Sequence, residues 1–463
     1  MNEASRGAVT PGRVLRVWWP LATSWLLMGA EGPVVTAFLA RSADSEVQLA
    51  AFSAAFNVAL VVEAPIIMLL AASTALAVDR AAYRRLERYM WTAALALTAL
   101  HALVAFTPLF DVLAITLLEL PPPVQEPTRL GLQWLLPWTG SIAYRRFQQG
   151  VLIRTEHAGR VLVGTMLRLS VGVATITTGF ALGLEGIRLG ALTLSAGVVA
   201  EALFAWLAVR GPRAALPERD ESNSPISLGS FLAFYLPLAA TPLLILGVQP
   251  FGTATMTRMP MPLESLAAYH GVHSLVFLTR SVGFAFNEVV VALLGRPGAV
   301  ASLLTFARRL ALGAGGVMAA LALTPLGDVW FGRVQAFPPH VAMLAAAATF
   351  FAVLMPVNQV LQSWFGGVLV KARRTRGVTE SVAIYALFAI ALLWLGIRFQ
   401  PAIGLVWTVG SLTAAGLAQA GWLALRSRKH VAAFRDAETT PTVPLRPRGA
   451  IISELTSGPR SPR

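Results

Sequence analysis

The sequence predicts an all-α polytopic membrane protein with twelve transmembrane helices in two pseudo-symmetric six-helix lobes. Three observations carry that prediction. Of 463 residues, 56% are apolar and 13% charged, with mean hydropathy +0.65. Apolar runs of about twenty residues recur along the chain, each long enough to cross a hydrocarbon core of about 30 Å. Residues 20–51 also reappear at 237–268: at a shift of 217, without a gap, twelve of thirty-two positions are identical. The matches include Pro20-Leu21-Ala22 with Pro237-Leu238-Ala239, Pro33 with Pro250, Thr36 with Thr253 and Arg41 with Arg258. The same shift maps Thr107-Pro108-Leu109 onto Thr324-Pro325-Leu326 and Gly150-Val151-Leu152 onto Gly367-Val368-Leu369. A register held over that length signals an internal duplication.

In chain order, residues 1–12 are polar and read as a disordered N-terminus. The first apolar run is too long for a signal peptide and lacks a small-residue cleavage site, so it reads as a retained span. An N-lobe, 13–210, holds spans near 14–40, 47–78, 89–118, 130–154, 161–184 and 188–210. A cytoplasmic linker, 211–227, carries Pro212, Pro217 and Pro225. The C-lobe, 228–426, holds spans near 229–257, 264–295, 306–332, 340–370, 378–398 and 402–425. Residues 427–463, rich in Pro, Thr, Ser and Arg, read as a basic, disordered tail with little to bury.

The net charge of +14 sits mostly in Arg residues between spans. Loops after even-numbered spans are crowded, for example Arg80, Arg84, Arg85 and Arg88, or Lys371, Arg373, Arg374 and Arg376. The opposite loops carry Arg41, Arg129, Arg188, Arg258, Arg333 and Arg398, one apiece. That asymmetry places both termini in the cytoplasm of a multi-pass inner-membrane protein, and makes the charge a topology signal rather than a nucleic-acid surface. Six spans per half is even, so the halves enter the membrane in the same sense, as parallel repeats with a cleft between them. The chain has no cysteine, which removes disulfides and thiolate metal sites. No cofactor is expected, and a monomer is.

A charge at membrane depth costs about 2.5–3.5 kcal/mol on insertion scales, so it faces a cavity or a partner. Glu31 sits in span 1 within Gly29-Ala30-Glu31-Gly32-Pro33, where the glycines and Pro33 predict a bend. Glu63 lies near the middle of span 2, Arg280 near the middle of span 8, and Arg145 and Arg146 inside span 4. The shift of 217 carries Glu63 onto Arg280, so equivalent midplane positions hold opposite charges that could approach across the axis. Ser141, Arg145, Gln148 and Gln149 form one polar stripe on span 4, and Asn358 and Gln362, with Gln359 beside them, form its counterpart on span 10. On span 8, His273, Arg280 and Asn287 share a face. His270, His273 and Glu264 lack a fourth ligand for zinc and read as packed side chains.

These features resemble the multidrug and toxic-compound extrusion (MATE) transporters of the MOP flippase superfamily. The features are the duplication, the twelve spans and the acid on a Gly/Pro-broken first helix. The likeness covers about 14–425. Gly150-Val151-Leu152-Ile153-Arg154 and Pro237-Leu238-Ala239 incline it toward the progressive ankylosis family, associated with export of small anions such as citrate, pyrophosphate and nucleotides. The resemblance implies two lobes rocking around a central cavity, with Glu31 as a proton or cation site.

The resulting expectation is a secondary active transporter that works by alternating access and exports a small anionic metabolite, coupled to H+ or Na+. Substrate contacts are assigned to Arg145, Arg146, Gln148, Gln149, Arg280, Asn287, Asn358 and Gln362, and ion coupling to Glu31 and Glu63. One alternative is a cation-coupled multidrug pump with an aromatic cavity drawn from Trp134, Trp138, Trp364 and Phe365. Another is a lipid-linked precursor flippase. An intramembrane enzyme is set aside because the chain has no HExxH, GxSxG or P-loop.

Overall fold

The computed structural model describes residues 9–184, 186–218 and 226–439, and these are helical with no strands among them. The long helices are α1 (Pro11–Leu39), α2 (Ser45–Glu63), α3 (Leu69–Leu76), α4 (Arg80–Phe106), α5 (Pro122–Trp134), α6 (Leu136–Arg154), α7 (Ala158–Ala181) and α8 (Gly186–Ala214). The second half continues with α9 (Leu228–Arg258), α10 (Pro262–Leu293), α11 (Ala299–Leu323), α12 (Pro339–Ala352), α13 (Leu354–Lys371), α14 (Arg376–Phe399) and α15 (Gly404–Thr439). Nine helical stretches of the described residues are long and apolar enough to cross a membrane. The stretches 11–39, 122–154 and 404–439 are not among them, and the second carries Arg145, Arg146, Gln148 and Gln149.

Local chemistry sets several boundaries. Asp79 caps α4 by accepting the amide of Ala82 at 2.6 Å, so Arg84, Arg85 and Arg88 lie in its first turns rather than in a loop. Thr10 caps α1 ahead of Pro11. Residues 9–12 are therefore not disordered: Val9 is buried, donates its amide to the Pro297 carbonyl at 2.8 Å and accepts from Ser302 Oγ at 2.7 Å. At the other end, α15 runs to Thr439, past the expected start of the tail, because Val431 and Phe434 pack on an apolar cluster and Glu438 accepts the Val300 amide. The helix α8 likewise continues through Pro212 to Ala214, inside the expected linker. Pro225 of that linker lies outside the described residues.

α1 is continuous through Pro33. Its glycines serve close packing: a Cβ on Gly32 would sit 2.7 Å from Ser274 Cβ, and one on Gly29 3.2 Å from Leu278 Cα, both on α10. The expectation that these glycines soften the helix gives way to a contact in which only hydrogen fits.

The duplication is written in the backbone. Left-handed residues pair at a separation of 217: Asp44 with Met261, Glu119 with Ala336, Glu156 with Arg373 and Gly183 with Gln400. The π-helical turns Val112–Leu117 and Val329–Val334 pair in the same way. So do hydrogen bonds between the halves. Trp18 Nε1 donates to the Val282 carbonyl, and its equivalent, the Tyr235 hydroxyl, donates to the Pro65 carbonyl. Arg41 donates to the Val334 carbonyl, and Arg258 to that of Leu117. The His270 amide donates to Ser53 Oγ at 3.3 Å, two residues that are each other's equivalents and so meet at the pseudo-symmetry axis. α1 lies chiefly along α10 of the other half, whereas α9 packs chiefly on α14 of its own half and also reaches α2.

Candidate functional site

Three acids and three arginines gather inside the first half. Arg145 Nη1 donates to Glu201 Oε2 at 2.9 Å, with both side chains almost fully buried. Glu201 Oε1 also accepts from Gln149 Nε2 at 2.9 Å and Thr165 Oγ1 at 3.3 Å. Arg168, on α7, forms an ion pair with Glu31, the two side chains being 12% and 13% exposed. Glu63, the last residue of α2, is buried with Oε2 lacking any hydrogen-bond partner, within electrostatic reach of Arg145, Arg146 and Arg168. Arg146 has no ion pair among the described residues, and its Nε is buried without an acceptor.

The second half presents one guanidinium and no acid beside it. Arg280 Nη2 donates to Gln359 Oε1 at 2.7 Å, its Nε has no acceptor, and its charge lies 5.5 Å from the Phe284 ring centre. Gln359 Nε2 reaches Ser363 Oγ at 3.3 Å, and Asn287 Nδ2 donates to the Ser363 carbonyl at 3.2 Å. Gln362 donates to the Gly416 carbonyl, while Asn358 Oδ1 is buried with no donor.

The 217-residue register relates the two clusters. Glu63 falls on Arg280, Arg168 on Tyr385, Glu31 on Val248, Arg145 on Gln362 and Glu201 on Ala418. Only the Glu63 position keeps a charge, and it is reversed.

Several sequence-derived expectations change. Glu63 and Arg280 are not paired: Arg280 turns to Gln359, and no ion pair joins it to an acid among the described residues. The stripe on α6 splits. Arg145 and Gln149 face Glu201, whereas Gln148 exchanges hydrogen bonds with the Tyr83 hydroxyl. Glu31 is neutralised by an arginine rather than left open to a cation. The two histidines are packed side chains, as expected: His270 is boxed edge-on by Phe52 and Phe56, and His273 packs against Tyr269. Trp138 and Trp364 belong to apolar clusters. Arg168 and Glu201 were missed. Both are charges inside apolar runs, the signal that had singled out Glu31 and Glu63.

The halves are also fastened at the end that carries residues 40–44, 118–121, 259–261 and 335–338. There Thr36 Oγ1 lies 2.6 Å from Gln335 Oε1, Arg258 pairs with Glu119 at 2.8 Å, and His340 meets Glu46 at 3.0 Å. Deeper in, Asn57 donates to Thr253 at 3.0 Å.

No protein family model matches the chain, and no curated protein sequence does. Solved structures do. An inward-facing multidrug resistance MATE family transporter of the MOP superfamily aligns with TM-score 0.67 at 15% identity, over 91% of this chain and 98% of that one. A eukaryotic MATE transporter aligns with TM-score 0.62 at 16% identity, over 92% and 99%. An outward-facing multidrug resistance MATE transporter aligns with TM-score 0.58 at 15% identity, over 92% and 97%. The fold is therefore that of MATE transporters.

Proposed function

We propose that the chain is a secondary active transporter that moves a small anionic metabolite out of the cell by alternating access, coupled to H+ or Na+. The observation that carries this reading is Arg280, a charge in the middle of α10 with no acid beside it, held by the Gln359 amide oxygen and with its Nε left without an acceptor. An unbalanced guanidinium inside a membrane domain is expensive unless something neutralises it, and an anionic substrate does so while gaining planar, paired contacts. Arg146 supplies a second open guanidinium from the first half.

The arginine-rich end faces the cytoplasm in this reading, as loop charge favours. The ties among Arg258, Glu119, Thr36, Gln335, Glu46 and His340 then close the outer end. The higher score against the inward-facing relative than against the outward-facing one accords with that state. Prolines recur in the crossing helices, Pro20 and Pro33 in α1 and Pro237 and Pro250 in α9, where a rocking motion must be absorbed.

The test is efflux from proteoliposomes loaded with radiolabelled citrate, ATP or an organic cation. The expected result is anion efflux that Arg280→Ala abolishes and Arg280→Lys weakens. Efflux of the organic cation alone, unchanged by Arg280→Ala, overturns the reading in favour of a multidrug pump.

A further inference from the structure

We infer that Glu63, and not Glu31, carries the coupling proton, and that this proton is what frees Arg146 to hold the anion. The inference rests on the anion-transport reading and specifies how its coupling works. Of the three acids in the first-half cluster, two already have resident counter-ions. Glu31 has Arg168, and Glu201 has Arg145 reinforced by Gln149 and Thr165. Glu63 has none, and Arg146 within its electrostatic reach has none either. A neighbouring carboxyl and guanidinium, both unpaired in a buried setting, are two halves of an ion pair that is not made.

A bare buried carboxylate with no donor on Oε2 is costly, and a proton removes the charge that makes it so. With Glu63 neutral, three guanidinium groups face two carboxylates, and the cluster is one positive charge in excess. An anion on Arg146 restores the balance. When the proton leaves, the Glu63 carboxylate and Arg146 satisfy each other and the anion loses its counter-charge. A sodium ion is a poor substitute: it would lie among Arg145, Arg146 and Arg168 with one free carboxylate as its ligand.

Neither the charged groups that act on Glu63 nor the other buried titratable groups of the surrounding helices offer a rival proton carrier. Arg145 and Arg146 come from α6, Arg168 from α7 and Glu201 from α8. From α9, the Tyr235 hydroxyl is spent on the Pro65 carbonyl. From α10, His270 is enclosed by Phe52 and Phe56. From α4, His101 is held between Thr139 and the Leu132 carbonyl, and Tyr83 by Gln148 and Glu87. From α1, Glu31 is paired. Proton and anion therefore occupy the same state of the protein and leave together, and the inside-negative membrane potential drives out the negative charge that the proton does not cancel.

The experiment uses the full chain in detergent with two readouts. Infrared spectroscopy at neutral pH should give the carbonyl stretch of a protonated carboxylic acid that Glu63→Gln removes and that Glu31→Gln and Glu201→Gln keep. Calorimetric binding of inorganic sulfate, whose charge is constant over the range, should weaken about tenfold or more from mildly acid to mildly alkaline pH. Glu63→Gln should bind at both ends with the acid-side affinity, while Glu31→Gln should keep the pH dependence. A band that survives Glu63→Gln, or a pH dependence that Glu31→Gln abolishes instead, overturns the inference. Absence of sulfate binding at every pH, with the band still tied to Glu63, overturns the anion reading and leaves the proton assignment standing.

Discussion

Breaking one side of the Arg145–Glu201 pair should cost far more than removing both. The Glu201 side chain is 1% exposed and that of Arg145 is 5% exposed, so neither can turn to water when its partner goes. Glu201→Gln leaves a buried guanidinium without its counter-ion, a change worth about 3–5 kcal/mol of stability. Arg145→Met leaves a buried carboxylate held only by Gln149 and Thr165, at about the same cost. The double variant Arg145→Met/Glu201→Leu removes both charges. Thr165 keeps its bond to the Val161 carbonyl, so Gln149 alone loses its acceptor, about 1–3 kcal/mol. Unfolding in mixed micelles by titrating denaturing detergent measures all three against the parent. The singles should each be less stable than the double. A double whose loss equals the sum of the singles within about 0.5 kcal/mol would show that the two groups do not act on each other.

Two other perturbations test the packing and the closure. Gly32→Ala drives a methyl into Ser274 Cβ and should lower stability by about 1–3 kcal/mol by the same micelle titration, with Ser274→Gly restoring most of it. Full stability of Gly32→Ala alone would mean that α1 and α10 are not in contact there. Arg258→Ala removes the Glu119 ion pair and the contact with the Leu117 carbonyl, and Arg41→Ala removes the equivalent contact with Val334. In the double variant a reporter cysteine at Thr253, buried beneath this end, should react several-fold faster with a membrane-impermeant maleimide. The native chain has no cysteine to interfere, and an unchanged rate would count against these arginines as fasteners.

The duplication was legible to the residue because it is a property of chain order. Its 217-residue offset reappears in Asp44 and Met261, in the paired π-helical turns and in the Ser53–His270 contact. The intramembrane acids Glu31 and Glu63 were legible because charge is rare in apolar runs. Their partners were not. Glu31 and Arg168 are 137 residues apart and Arg145 and Glu201 are 56 apart, and helical periodicity speaks only to neighbours a few positions away. The same limit explains Gln148, which shares a stripe with Gln149 in sequence yet reaches Tyr83 on another helix. Residues 427–439 were misread because a short apolar pair such as Val431 and Phe434 is invisible against a polar background until the surface it covers is known, while 1–8 and 440–463 lie outside the described residues.

The reversal at Glu63 and Arg280 has a consequence for how such a protein arises. Two copies of the second half joined in tandem would set a fixed positive charge on both walls with no carboxyl at the Glu63 position to offset it. Two copies of the first half would put a titrating carboxyl on both walls, so that neither wall would hold a charge independent of the proton. On the proposed mechanism only the mixed pair joins a wall that changes charge to one that does not, so the working molecule would begin where the two copies ceased to be interchangeable.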